Sequence, residues 1–169
     1  MKLILHDLTK EQCQNAGIAD LSEEQYRIID SSGIDHYCIG CFGCWLKTPG
    51  RCVIKDQFRE MGEILAKADE LLIISRGTFG SYSSAVKNVL DRSISYVEPF
   101  FEIRKGEMHH KERYHKNLTI SAIFYGSDMT ENEKETAKNL VTANAVNLNA
   151  AAGNVCFLKD VVEIKEVGL

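Results

Sequence analysis

The sequence predicts one α/β domain in which a parallel sheet is covered by helices on both faces. Two features of the chain support this fold. Short apolar segments alternate with helical patterns, and residues 71–74 form a run that is apolar on both faces. Such a run is typical of a strand that is buried on two sides. Strands that alternate with helices are usually joined by right-handed crossovers into a parallel sheet.

The predicted elements follow one another along the chain. Residues 2–6 and 26–30 are the first two strands, and residues 31–33 stop the second. Residues 56–68 have apolar side chains at helical spacing and lead into the third strand at 71–74. A helix is expected from about Ser83. Residues 118–124 and 154–158 are the last two strands, and Thr130 and Glu133 between them have the spacing of a capping box, which starts a helix towards Leu148.

Length and composition indicate an ordinary globular protein. The 169 residues fit a single domain, 1–169, and 44% hydrophobic with 26% charged residues is typical of a folded chain. A net charge of −4 gives no basic surface for nucleic acid or an anionic membrane, so neither partner is expected. No apolar run is long enough to span a bilayer, and the first seven residues turn polar too soon for a signal peptide. A cytoplasmic location is therefore predicted.

A ligand of such a sheet is expected beyond the carboxyl ends of its strands, in the segments that follow Leu8, Ser75 and Tyr125. The second segment contains two glycines, which let the backbone approach a ligand closely, and an aromatic ring that can lie against a flat ligand. Its residues are Arg76, Gly77, Thr78, Phe79, Gly80 and Ser81. Glycines in a strand-to-helix turn can also serve the geometry of the turn alone, so composition leaves both readings open.

Residues 78–92, which read TFGSYSSAVKNVLDR, resemble the flavin-contacting loop and the following helix of the NAD(P)H-dependent FMN reductase family. Residues 101–111 resemble an insertion in one branch of those flavoproteins. The segment from Cys38 to Asp56 is similar to the cysteine-bearing segment of the same branch and of the iron–sulfur flavoproteins. The resemblance extends from about residue 30 to residue 125, and its motifs occur in the expected order.

The resemblance implies a three-layer, flavodoxin-like fold with a five-stranded parallel sheet in the order 2-1-3-4-5. It also implies FMN at the strand ends, NAD(P)H as electron donor, a flavin, quinone or other small molecule as acceptor, and a homodimer or homotetramer. The flavin supplies the chemistry in such enzymes, so no catalytic residue is named. The residues expected to contact FMN are Thr9, Arg76, Gly77, Thr78, Phe79, Gly80, Ser81, Tyr125, Gly126 and Ser127.

The segment after the first strand departs from the family pattern. The family has a Gly-Ser-x-Arg loop there that cradles the FMN phosphate, whereas this chain has Leu8, Thr9, Lys10, Glu11 and Gln12. Thr9 can replace the serine and Lys10 can supply charge, but the glycine is missing and Glu11 opposes a phosphate. Either the phosphate is held differently, or flavin binds weakly or not at all. The last case would leave a cofactor-free binding subunit.

Four of the six cysteines lie close together, at Cys38, Cys41, Cys44 and Cys52. Three thiols two residues apart and a fourth further on can cage a 4Fe–4S cluster, as in the iron–sulfur flavoproteins, which would make the chain an electron carrier. Zinc, a reversible disulfide and small buried hydrophobic residues are the other readings of the same pattern.

Residues 99–116 form a long insertion in which no clear periodicity is recognised. Long ordered loops in compact domains are often functional, and a plain surface loop is the alternative. His109 and His110 within it are adjacent, so on a regular strand they would point to opposite faces and would not chelate one ion together.

Overall fold

The computed structural model describes residues 1–33, 35–104 and 106–167. Its strands are β1 (Lys2–His6), β2 (Tyr26–Asp30), β3 (Glu70–Arg76), β4 (Val97–Arg104), β5 (Glu107–Glu112), β6 (Thr119–Tyr125) and β7 (Ala151–Leu158). Five of them form one parallel sheet in the order β2-β1-β3-β6-β7. Counted within this sheet alone, the order is 2-1-3-4-5. The predicted α/β fold with a five-stranded parallel sheet is therefore confirmed, and its order is compatible with a flavodoxin-like fold.

Helices cover both faces of this sheet. They are α1 (Lys10–Asn15), α2 (Gly43–Leu46), α3 (Met61–Lys67), α4 (Ser84–Arg92), α5 (Glu131–Asn147) and α6 (Ile164–Val167). Apolar residues of α3, α4 and α5 pack on one face of the central strands, and α1 and α6 contribute to a second apolar cluster with residues of the opposite face. Such burial on two sides explains the continuous apolar run in β3. None of the described helices is long and apolar enough to cross a membrane.

The helix predicted over residues 56–68 is shorter than expected. It begins only at Met61, because Asp56 engages in other contacts. The Asp56 carboxylate accepts a hydrogen bond from the Phe58 amide at 3.0 Å and pairs with the Arg92 guanidinium. An aspartate that bonds to the backbone two residues further on favours a turn over a helix. The capping box of Thr130 and Glu133, by contrast, is present at the start of α5 as predicted.

The insertion at residues 99–116 is wrongly predicted as irregular. Most of it forms an antiparallel hairpin of β4 and β5, in which Phe101 faces His110 and Ile103 faces Met108. Lys105, which lies within the segment that resembles the family's insertion, is outside the described residues. The two adjacent histidines lie on opposite faces of β5, as expected for neighbours on a strand.

Arg92, the last residue of α4, is the largest fully buried side chain in the described part of the chain. Its guanidinium forms two hydrogen bonds to the Asp56 carboxylate, one of them at 2.6 Å. The hydrogen bonds from Arg92 hold the pKa of Asp56 below its ordinary value of 3.8, against the opposing effect of burial. This pair fixes the segment before α3 to the end of α4.

We expect Asp56→Asn to destabilise the protein by about 3–5 kcal/mol, because the buried Arg92 would lose its countercharge. Urea unfolding at neutral pH measures the change. Asp91→Asn is the matched control, since Asp91 forms an exposed pair with Lys87 and such pairs contribute about 0.5 kcal/mol or less. Equal midpoints for the two variants would contradict the expected role of the pair.

The pH dependence of the protein's stability tests the same ion pair independently. Because the folded-state pKa of Asp56 is depressed, the stabilisation is present above its unfolded pKa and is lost as the pH falls through the lower, folded value. The wild-type protein should therefore lose more stability than Asp56→Asn when the pH is lowered below about 4.

Candidate functional site

The carboxyl ends of β1, β3 and β6 lie side by side at one edge of the sheet. His6 is in register with Ile74, and Arg76 with Tyr125. The chain continues from β1 to β2 on one side and later enters β3 on the other, so the order of strands reverses between β1 and β3. A crevice at such a reversal is where open α/β sheets bind ligands. The loops that follow the three strands therefore form the candidate site.

Asp7, the first residue after β1, links these three strand ends. Its carboxylate accepts hydrogen bonds from the Ser75 hydroxyl at 3.3 Å, the Arg76 amide at 3.1 Å and the Tyr125 hydroxyl at 3.0 Å. Burial raises the pKa of Tyr125, and the charge of Asp7 raises it further, so this phenol remains protonated. The sequence reading missed Asp7. An aspartate directly after the first buried strand was the signal that could have identified it.

The loop from Arg76 to Ser81 is rigidly built. Thr78 and Ser81 exchange two backbone hydrogen bonds of 2.9 Å, which close a tight turn. Phe79 and Gly80 at its tip have φ angles of 51° and 73°, in the left-handed region. A side chain at Gly80 would lie 2.9 Å from Thr136 on α5, so this glycine allows close packing as well as the turn. The loop therefore keeps one shape and presents its tip outwards.

Phe79 is 91% exposed, which is unusual for a phenylalanine in an ordered loop. Its left-handed backbone is a strained conformation for a residue with a side chain. The ring is therefore free to contact a flat ligand.

Gly77, the other glycine of this loop, packs against the loop that follows β6. A side chain at Gly77 would meet the Met129 sulfur at 2.0 Å, so the thioether of Met129 occupies the space beside it. Arg76 also forms an exposed ion pair of 3.4 Å with Asp128. The loops Arg76–Ser81 and Tyr125–Ser127, predicted to bind one ligand, are thus neighbours. The Met129 side chain therefore fills the space between them.

The residues after β1 are engaged with one another. The Leu8 amide donates to His6 Nδ1 at 3.2 Å. The Thr9 amide donates to Gln12 Oε1 at 2.9 Å, and the Gln12 amide donates to Thr9 Oγ1 at 3.2 Å. These last two bonds form a capping box for α1, which the sequence reading did not identify. Thr9 is predicted to contact FMN, but its amide and its hydroxyl oxygen are both engaged in capping α1.

These observations allow a test of whether FMN fits the strand ends. The loops after β3 and β6 are adjacent and bear an exposed aromatic side chain that a flavin ring could contact, and Met129 fills the space between them. The segment after β1 offers few donors to the phosphate, because three of its amides are already paired, those of Lys10 and Glu11 alone lack a partner in the described part of the chain, and the Asp7 carboxylate lies beside them. The residues therefore suit the ring of this cofactor better than its tail.

A buried histidine and a cysteine lie close together beneath the segment after β1. Cys13 Sγ is 3.8 Å from His6 Nε2, and both line a cavity of about 280 Å³ that also reaches Asp30. Burial lowers the pKa of His6, although Asp30 and Asp7 oppose this effect. Burial and the charge of Asp30 raise the pKa of Cys13. Both groups are therefore neutral at pH 7.

The four clustered cysteines lie apart from the strand-end crevice. They border one cavity of about 390 Å³, together with residues at the end of α4. Cys38 and Cys41 are exposed, Cys44 is half-buried and Cys52 is buried. Burial is the largest cause of a raised pKa for Cys44, and the neighbouring cysteines add to it. In the described ranges no group of three or more His, Cys, Asp or Glu side chains is arranged to hold a metal ion. The predicted 4Fe–4S cluster is therefore not supported.

Side chains of α4 hold this cysteine segment in place. Asn88 accepts a hydrogen bond from the Cys38 amide at 2.9 Å and donates one to the His36 carbonyl at 3.1 Å. Arg92 borders the cavity, and its Nε is buried without a hydrogen-bond partner among the described residues. Because α4 has nine residues that each advance about 1.5 Å, the cavity lies about 13 Å along the helix from the strand-end crevice.

A family model described as NADPH-dependent FMN reductase matches residues 5–152. No curated protein sequence matches the chain significantly. The fold is similar to that of an NAD(P)H:quinone oxidoreductase from Methanothermobacter marburgensis, with a TM-score of 0.60 and 13% identity over 99% of this chain and 96% of the other. It is also similar to the Trp repressor binding protein from Bacillus subtilis, with a TM-score of 0.57 and 12% identity over 99% and 92%.

A third similar structure is an FMN-dependent NADH-azoreductase from Bacillus anthracis str. Ames Ancestor in complex with FMN. Its TM-score is 0.55, and its identity is 11% over 98% of this chain and 92% of the other. At such low identity these structures establish the fold, whereas the family match covers most of the sequence.

Proposed function

The chain belongs to the NADPH-dependent FMN reductase family, and from this premise we propose that it carries electrons from NAD(P)H to a small acceptor through a flavin at its strand ends. Membership of the family makes it an NAD(P)H-dependent FMN oxidoreductase by class. The observation that carries the proposed site is the adjacency of two rigid loops, Arg76–Ser81 and Tyr125–Ser127, at the point where the strand order reverses.

In this proposal the protein positions the flavin ring and the flavin, when bound, supplies the hydride chemistry. Phe79 offers its exposed ring for stacking, and the backbone of the tip at Gly80 can approach the ring closely. The Tyr125 hydroxyl and the Asp7 carboxylate fix the strand ends beneath the ring. No side chain is assigned as an acid or base, because hydride transfer to a flavin does not require one.

We expect Phe79 to contribute to flavin binding but not to the stability of the fold. We expect Phe79→Ala to weaken flavin binding about tenfold, which is the size of one aromatic stacking contact. Its thermal midpoint should be unchanged, because the side chain is 91% exposed. Quenching of flavin fluorescence by purified protein, with FMN and with riboflavin, measures the affinity, and NAD(P)H oxidation measured at 340 nm follows activity.

The matched control is Phe100→Ala, since Phe100 is 64% exposed and lies on the hairpin instead of the strand-end loops. It should bind flavin like the wild type. If neither flavin binds to micromolar wild-type protein, the proposed function is wrong. Folded, colourless protein of that kind would favour the cofactor-free binding subunit.

An iron–sulfur electron carrier is the second candidate. One observation favours it: the four cysteines border one cavity that Arg92 also lines, and the Nε of Arg92 is buried without a hydrogen-bond partner among the described residues. The arrangement of the thiols does not fit a cluster as it stands, since no three of them are grouped as metal ligands in the described segments. The segment would have to close around the cluster, and no step of the reaction is assigned to it.

Anaerobic purification tests this candidate. Brown protein with stoichiometric iron and sulfide, whose colour is lost in Cys41→Ser, would establish the cluster. We expect instead that wild-type protein and Cys41→Ser have the same absorption spectrum. Cys156→Ser is the matched control, because Cys156 lies on β7, away from the cavity.

We also propose that the protein is a homodimer. An apolar row runs across the surface: Phe42 stacks on Trp45 at 5.7 Å between ring centroids, Trp45 contacts His110 at 4.8 Å, and His110 contacts Phe101 at 4.6 Å. Ile103 and Met108 extend it along the hairpin. Contiguous exposed apolar surface of this kind marks an interaction site.

The area of this apolar row suits a second copy of the chain. Five large apolar side chains on or beside it are 57–77% exposed, namely Phe42, Leu46, Phe101, Ile103 and Met108. Together they expose on the order of 600 Å² per copy, so two rows that pack together bury about 1,200 Å², the lower limit of a stable interface. A dimer with two-fold symmetry would bury the apolar row of both copies in one interface.

Ile103→Asp should convert the dimer into a monomer, because the charge would be buried at the centre of the row. Sedimentation equilibrium at micromolar protein measures the mass. Val162→Asp is the control: Val162 is 53% exposed and lies elsewhere, so its dimer should persist. Monomeric wild-type protein would contradict the proposal.

A cytoplasmic location and the lack of a nucleic-acid partner stay predictions from the sequence.

A further inference from the structure

The crevice at the strand ends is negatively charged at the point where the tail of a flavin would lie. In α/β sheets a ligand phosphate binds at the start of the helix that follows a strand, against free backbone amides. The helix in this position is α1, which has only six residues. Asp7 precedes it and Glu11 lies in its first turn, so two carboxylates stand where a phosphate needs donors.

Four of the backbone amides between Asp7 and Gln12 are already paired, and among the described residues those of Lys10 and Glu11 have no partner. The amides of Leu8, Thr9 and Gln12 bond to His6, Gln12 and Thr9, and the Asp7 amide donates to the Ile74 carbonyl at 3.3 Å. Without breaking these bonds, a phosphate could reach only the amides of Lys10 and Glu11, next to the Glu11 carboxylate. An uncharged ribityl chain has hydroxyl groups that both donate and accept, so it can bond to carboxylates without such rearrangement.

The positive charges nearby do not compensate. Arg76 is paired with Asp128 at 3.4 Å, and Asp30 adds a further carboxylate at the end of β2. His6 accepts a hydrogen bond at Nδ1, and burial lowers its pKa, so it carries no charge at neutral pH. Lys10, exposed in the first turn of α1, remains as the free cation of this described segment, and Glu11 beside it offsets its charge.

We propose that this site binds a flavin without a phosphate, of the riboflavin class, in preference to FMN. The inference rests on the proposed function, since it concerns the ligand of the same strand-end loops. The loops after β3 and β6 recognise the flavin ring, and the charge near α1 selects its tail. The Asp7 carboxylate, which is held by Ser75, Arg76 and Tyr125, repels a phosphate dianion. The same carboxylate can accept hydrogen bonds from the hydroxyl groups of an uncharged tail.

Parallel titrations of wild-type protein with riboflavin and with FMN test the inference. We expect riboflavin to bind at least about tenfold more tightly than FMN at low salt. Raising the salt concentration should narrow this difference, because salt screens the repulsion of the phosphate. A true phosphate site would show the opposite trend, with FMN binding more tightly and losing affinity as salt is added.

Asp7→Asn should reduce the preference for riboflavin about tenfold by strengthening FMN binding. Glu70→Gln is the matched control, since it removes one carboxylate at the start of β3, at the opposite edge of the sheet, and should leave the ratio unchanged. If Asp7→Asn does not fold, Glu11→Gln replaces it and should shift the ratio in the same direction by a smaller factor.

The outcomes separate the two proposals. Tighter binding of FMN than of riboflavin to the wild-type protein would overturn the inference and leave the proposed function in place. Binding of neither flavin would overturn the proposed function, and the inference with it. A ratio that is the same in Asp7→Asn and the wild type would overturn the role assigned to the Asp7 carboxylate.

Discussion

The hydrogen bonds of the Asp7 carboxylate determine how the ends of three strands meet. Asp7 follows β1, and its partners Ser75, Arg76 and Tyr125 belong to β3 and β6. The Ser75 hydroxyl also accepts a hydrogen bond from the Ser83 amide at 2.9 Å, just before α4 begins. One side chain thereby fixes the loop between β3 and α4 at both of its ends. Because this half-buried carboxylate accepts hydrogen bonds from residues of two other strands, it holds the three strand ends together.

The same constraint extends through α4 to the cysteine segment. The helix starts at the cap formed by Ser83 and ends at the buried Arg92, which pairs with Asp56. Asn88, one turn before its end, bonds to the backbone at His36 and Cys38. The cysteine cavity and the crevice at the strand ends are therefore attached to opposite ends of one short, rigid element.

Much of the fold could be predicted because local patterns and tertiary packing agree. The bounds of β1 and β2 and the capping box at Thr130 are as the sequence indicates, since burial on two sides and helix capping depend on near neighbours. The hairpin was missed although residues 101–104 alternate between apolar and charged side chains. Its apolar face is exposed in the single chain, so it lacks the burial that makes such alternation a reliable sign of a strand. Asp7 was missed because its partners are 68 or more residues away.

The glycines of the strand-end loop show why a motif alone does not define a binding site. Gly77 and Gly80 were read as places where a ligand approaches the backbone, yet both are also required by the packing of this loop on Met129 and Thr136. Close packing and ligand binding both require a residue without a side chain at these positions. A glycine in the sequence therefore does not show which of the two roles it has. The phosphate segment differs in this respect. There the demand is for free amides and positive charge, and paired amides with carboxylates beside them satisfy neither. The proposed preference for one flavin over another therefore depends on the charges around Asp7 and not on the glycines.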